Sequence, residues 1–152
     1  VRLRQRIESL LEQDEWEAVE ALVAGERRAI RHLVTLSYRP DEALRRASGR
    51  ALAIAARHHP AQVQEVVRRF VWAMNDESGT NALTAPAVIH AIALERPEIL
   101  LPVVPDLVRL AGDPGLHEGL AEALREVARR CPGEVGERLG KSLNQRYMGS
   151  HT

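Results

Sequence analysis

Cysteine is almost missing from this chain. Cys131 is the single one in 152 residues, so neither an internal disulfide framework nor a cysteine-based zinc site is open to one molecule. That fits a reducing compartment. Lysine is as scarce: Lys141 stands alone against twenty arginines, a bias in keeping with a GC-rich genome. Aromatic residues make up only 3%. Sheets favour aromatic and β-branched side chains, whereas a core of Ala, Leu, Val and Ile suits closely packed helices. No apolar run reaches the length of a membrane span, and the start, with Arg2, Arg4 and Arg6 before Glu8, lacks the apolar segment of a signal peptide. The expected location is the cytoplasm.

Excess charge is missing too. Twenty-one basic residues balance twenty-one acids, which argues against a generic polyanion binder. The distribution is uneven, however. Residues 1–26 hold three Arg and seven acids, and residues 27–69 hold ten Arg and three acids. The middle third is a basic island between acidic flanks.

What is present is helical periodicity. A 45% hydrophobic fraction over 152 residues is enough to bury one core, and residues 1–147 read as one domain with 148–152 as a tail. Leu3, Ile7, Leu10 and Leu11 recur at helical spacing, as do Trp16, Val19, Leu22 and Val23 before Gly25. Ile30, Leu33 and Val34 form a third face. Pro40-Asp41-Glu42 opens a longer helix through Arg57, with a small-residue side made by Ala47, Ala51, Leu52, Ala55 and Ala56. After Pro60, Val63, Val66, Val67, Phe70, Val71 and Met74 follow i, i+3, i+4, i+7, i+8, i+11, the clearest buried stripe in the chain. Ser78-Gly79-Thr80-Asn81 is turn chemistry. The spacing predicts Thr84 as the next N-cap and Pro86 in the first turn of its helix, where a missing N–H costs nothing. That helix carries Ile89, Ile92 and Ala93. Pro102 and Pro105 predict a short turn from about Glu98, then a helix from Val103 or Val104.

Aligning Pro60, Pro97 and Pro132 exposes an internal repeat. Leu52, Ile89 and Leu124 coincide, as do Ala55, Ile92 and Val127, and Ala56, Ala93 and Ala128. After the proline, Val63, Leu100 and Val135 coincide, then Val67, Val104 and Leu139, then Val71, Val108 and Leu143. Each unit is helix, proline turn, helix, polar turn. Such a hairpin cannot bury its apolar face alone and must stack on its neighbours.

With Asp41 through Leu52 reading D-E-A-L-R-R-A-S-G-R-A-L, the chain resembles HEAT-like repeats, in particular the bacterial phycobilisome-lyase-type class. A narrower segment, W-A-M-N-D-E-S-G followed by Ala85-Pro86, is similar to a stretch of uncharacterised bacterial HEAT-like proteins. The resemblance implies an all-α fold, a right-handed α-α superhelix of stacked antiparallel helix pairs. It also implies that the second helix of each pair lines the concave side.

Catalytic signatures are lacking. Asn75, Asp76, Glu77 and Ser78 offer oxygen ligands without the alternating acids of a calcium loop, so turn formation is the first reading and ion or substrate binding the second. No pair among His32, His58, His59, His90, His117 and His151 has the i, i+4 spacing of a helical zinc site, and solvated or helix-end histidines are the simpler reading. Cys131 shares the spacing of Leu124, Val127 and Ala128, which predicts a small core residue. Ser78 lacks the glycines of a nucleophile elbow. The sequence thus implies no enzyme, no metal and no cofactor.

Helical geometry does single out one patch. Trp72 lies about 200° from Phe70 around its helix, beside Glu65, Arg68, Arg69, Asn75 and Asp76; the repeat alignment puts Asp106 and Arg109, then Lys141 and Asn144, on the same face. Trp and Arg are the residues most enriched in interface hot spots. The opposing reading is that Trp72 packs on an adjacent repeat and the arginines solvate a helix. The expected function is a scaffold or adaptor that holds a protein partner on this face. The alternative is nucleic-acid recognition by a basic ridge of Arg27, Arg28, Arg31, Arg46, Arg50 and Arg57, although no aromatics interleave with those charges. Lyase activity would rest on fold analogy alone.

Overall fold

A computed structural model describes residues 2–75, 81–113 and 115–138. They are all helical or connecting: α1 (Leu3–Glu12), α2 (Trp16–Gly25), α3 (Ala29–Ser37), α4 (Glu42–Ala55), α5 (Pro60–Asn75), α6 (Asn81–Glu95), a 3₁₀ segment (Pro97–Val103), α7 (Val104–Leu110) and α8 (His117–Arg130). Residues 132–138 form a further helical segment. No strand occurs among the described residues.

Local chemistry explains most boundaries. Asp41 caps α4, its Oδ1 accepting from the Leu44 N–H at 3.1 Å and satisfying one of the free donors of the first turn. Gly25 closes α2. Pro102 and Pro105 break the segment after Pro97 into a 3₁₀ stretch followed by α7 from Val104, as their missing donors and fixed φ require. All six stripe residues of α5 are buried.

α6 differs from expectation. It begins at Asn81, so Thr84 is inside the helix and not its N-cap, and Pro86 is an interior residue. Proline there removes one intrahelical hydrogen bond. What offsets the loss is packing: a Cβ on Gly119 of α8 would stand 2.8 Å from the Pro86 Cβ and 3.0 Å from its carbonyl carbon, so the proline ring side of α6 lies directly on the backbone of α8. Cys131 also departs from the reading as a core residue. It is the C-cap of α8 and partly exposed, because Pro132 disfavours a helical conformation in the residue before it.

Packing centres on two helices. α4 packs most extensively against α6 and α3, and α6 lies between α4 and α8. Every residue from Ala51 to Ala56 is buried, which marks α4 as a helix covered on all sides. Gly49 allows α4 to reach α6, since a Cβ at that position would meet the Ala91 Cβ at 2.6 Å. The α4–α6–α8 row is therefore held at short range by two glycines, Gly49 and Gly119. α5 packs on α6, and α7 on α8. The Tyr38 ring meets Phe70 edge-on at 6.1 Å, tying the end of α3 to α5.

Two side chains close helix ends at a distance. The His59 Nε2–H donates to the Val23 carbonyl at 2.9 Å, and Arg130 Nη1 donates to the Leu94 carbonyl at 2.9 Å. Both acceptors belong to the last turn of a helix, where carbonyls lack intrahelical donors. Both donors follow their acceptors by 36 residues, close to the spacing of the aligned prolines.

Candidate functional site

α5 presents the first candidate surface. With Phe70, Val71 and Met74 turned into the core, Trp72 is left 69% exposed, and Arg68 and Arg69 are exposed beside it. Arg68 reaches Glu65 one turn back at 4.0 Å, a contact in water that contributes little. Asn75, at the last position of α5, joins α7: its Oδ1 accepts from Arg109 Nη1 at 2.8 Å, and Arg109 Nη2 donates to Asp106 at 3.1 Å. Asn75 Nδ2 in turn donates to the Val71 carbonyl at 3.2 Å. Of the residues singled out on this face, Asn75, Asp106 and Arg109 thus form one network across two helices. Val108, 41% exposed, adds apolar surface on α7. Asp76, Lys141, Asn144 and the rest of the Asn75–Gly79 turn lie outside the described residues.

Half of the basic ridge is engaged by glutamates. Arg28 pairs with Glu26 at 3.0 Å, Arg57 with Glu20 at 3.6 Å and Arg50 with Glu95 at 3.0 Å. Arg50 also stacks over the Trp16 ring, 4.1 Å from its centroid, a favourable position for a cation on an aromatic face. The hydrogen bond from Arg28 holds the Glu26 carboxyl below its ordinary range and raises the Arg28 guanidinium in return. Arg46 and Arg50 line one site; Arg27 and Arg31 are exposed on the α2–α3 turn and α3.

That shared site is a groove of about 710 Å³ across α4, α6 and α8, a size typical of ligand clefts. Its floor is Pro86, Ala87 and Ala91 of α6 with Gly119 of α8, and Leu94 and Leu116 give it apolar ends. One wall, from α4, carries Glu42, Arg46 and Arg50. The other, from α8, carries Glu118 and Glu122. His90 stands on the floor with its Nε2 3.5 Å from a Glu122 oxygen.

Nothing in linear periodicity announces this groove. Its residues come from three helices, and its floor consists of small residues that read as ordinary packing. The signals in the sequence were Gly49 and Gly119, which mark close helix approaches, and the i, i+4 pair Glu118 and Glu122 in the first half of α8, ahead of Arg125, Arg129 and Arg130.

Among the described residues no cluster of three or more His, Cys, Asp and Glu has the arrangement to hold a metal ion, and no helix is long and apolar enough to cross a membrane. Cys131 has its thiol pushed up by partial burial and by the nearby Glu134 and Glu98 carboxylates, with Arg130 opposing. That is the reverse of the environment that activates a nucleophile. No protein-family model, no curated protein and no solved structure matches the chain.

Proposed function

We propose that this chain is a non-catalytic protein-binding scaffold, a stack of HEAT-like helix hairpins that holds a partner on the face of α5 and α7. The observation that carries this reading is Trp72, 69% exposed on a helix whose other large apolar side chains are all buried. A large rigid aromatic in water contributes nothing to the core, yet supplies much contact area on binding at small entropic cost. Its surroundings suit an interface: Val108 supplies apolar area, Arg68 and Arg69 supply long flexible donors, and the Asn75–Arg109–Asp106 network fixes polar groups in place before a partner arrives.

The HEAT-like arrangement itself draws support from recurring features. Leu52 and Ile89 are fully buried, as are Ala55, Ile92 and Val127, and Val63 and Leu100, so several positions that coincide in the proline alignment share a burial state, whereas Leu124, Ala128 and Val108 are more exposed than the residues they align with. The two helix-end bonds at 36-residue separation repeat one device. A repeat array that ends in exposed helices offers long continuous surfaces, which is how such proteins bind other proteins. Against a phosphate-binding ridge stand the glutamates already facing Arg28, Arg50 and Arg57.

Affinity capture with the wild type and a Trp72→Ala, Arg68→Glu, Arg69→Glu variant tests the proposal, with protein and nucleic acid quantified separately. The expected result is a specific protein retained by the first and lost by the second. Equal recovery by both refutes the α5–α7 face. Selective loss of nucleic acid would transfer the reading to the arginines.

A further inference from the structure

The groove across α4, α6 and α8 shares no residue with the Trp72 face, and we infer that it is a separate peptide-binding site whose occupant is a short segment carrying a cationic side chain next to an apolar one. Two features of the groove lead there.

Shape comes first. Its floor is built from Pro86, Ala87, Ala91 and Gly119, residue types that have almost no side-chain freedom to lose. They cannot swing up to fill the space, nor do they need to be ordered when something enters. The floor is also fixed from below, because α6 is clamped to α4 at Gly49 and to α8 at Gly119. The opening of about 710 Å³ is thus preformed, and a preformed apolar cleft binds without the ordering cost of a flexible one. Leu94, 53% exposed at one end, offers an apolar lip for an incoming Leu, Met or Phe.

Charge then selects the occupant. On the α8 wall Glu118 and Glu122 are one helical turn apart and both exposed. Glu118 has no cationic partner within 4 Å among the described residues, and Glu122 faces only His90, which neutralises it only when protonated. Of the two arginines on the α4 wall, Arg50 is taken by Glu95 and by the Trp16 ring. The groove therefore presents three carboxylates with no guanidinium partner, Glu118 and Glu122 on the α8 wall and Glu42 on the α4 wall, and one uncommitted guanidinium, that of Arg46. A Lys or Arg of the peptide reaches Glu118 and Glu122, its apolar neighbour rests on Ala87 and Ala91, and Arg46 donates to a main-chain carbonyl on the far side. A phosphate-rich ligand would meet the carboxylate wall and be repelled.

Selection of a random 12-residue peptide library displayed on phage against the full chain, followed by fluorescence anisotropy with synthetic peptides from the enriched sequences, tests this directly. Enrichment of sequences that pair Lys or Arg with an adjacent Leu, Met or Phe is expected. A Glu118→Lys, Glu122→Lys variant should weaken those peptides by about tenfold or more, and Ala87→Phe, which raises the floor, should do the same. Each variant is paired with a thermal melt, and Glu118→Gln, Glu122→Gln serves as the milder version should the reversal disturb folding. Trp72→Ala should leave peptide affinity unchanged, which separates this site from the α5–α7 face. No enrichment, enrichment of acidic peptides, or affinity that follows Trp72 instead of the glutamates would each overturn the inference.

Discussion

A Cβ placed on Gly49 would stand 2.6 Å from the Cβ of Ala91 and 3.0 Å from the Val88 carbonyl oxygen. α4 and α6 meet there backbone to side chain, with no room for a methyl group. Gly119 repeats the relationship with Pro86 between α6 and α8. Glycine inside a helix costs roughly 1 kcal/mol relative to alanine, so these two positions are tolerated for the contact they permit.

Gly49→Ala and Gly119→Ala should each lower stability despite the better helix propensity. Overpacking costs about 1–3 kcal/mol, of which the propensity gain recovers roughly 1 kcal/mol. The atoms in the way are backbone or short side chains, which cannot rotate aside. At Gly25, where a Cβ would meet nothing within 4 Å, the same substitution should avoid that penalty. Calorimetric melts of the three variants check the contrast: a drop in Tm for the first two and none of comparable size for the third.

Tyr38 and Phe70 should be coupled. Phe70 is 1% exposed and its ring is met edge-on by Tyr38, with an interplanar angle of 84°. Edge-to-face pairs contribute about 0.5–1.5 kcal/mol beyond area burial. A double-mutant cycle with Tyr38→Leu and Phe70→Leu, read by urea unfolding, should return a coupling in that range; additive effects would mean that the rings only share a neighbourhood.

How far these features were legible depends on whether their cause is local. The α5 stripe, the start of α4 after Pro40-Asp41 and the break at Pro102 and Pro105 each arise from residues within a few positions of one another, and each is found where the sequence puts it. The start of α6 was misread because Pro86 is stabilised by Gly119, a contact across 33 residues that no local rule contains. Cys131 was misread for the opposite reason: its spacing is right for the core, but Pro132 ends the helix one residue too soon. On the α5–α7 face, the exposure of Trp72 followed from its angle to Phe70, whereas the bond from Asn75 to Arg109 depends on how two helices sit together. The groove lay furthest from view, since small residues on three helices make a cavity only after they pack.

The two long-range helix caps should differ in weight. His59 and the Val23 carbonyl are partly buried, whereas Arg130 bonds Leu94 at an exposed site. His59→Ala leaves a carbonyl with no donor and restricted access to water, which costs about 1–3 kcal/mol. Arg130→Met gives up a surface charge at a helix C-terminus, worth roughly 0.3–1 kcal/mol and screened by salt. Denaturant midpoints at low and high ionic strength distinguish them: the Arg130 effect should shrink in salt and the His59 effect should persist.

Cys131 provides a chemical probe of the α8 C-terminus. Partial burial disfavours its thiolate, as do the negative charges of Glu134 and Glu98, while Arg130 acts the other way. The thiolate is the reactive form, so the alkylation rate by iodoacetamide should rise with pH through a midpoint above that of a cysteine in an unstructured peptide. Glu134→Gln removes one repelling charge and should move the midpoint down. Arg130→Met removes the attracting one and should move it up, in the same protein in which it removes the donor that caps α6 at the Leu94 carbonyl. A midpoint at or below the free-thiol value, or one that ignores both substitutions, would show that the cysteine does not sit among these charges and that α8 ends elsewhere.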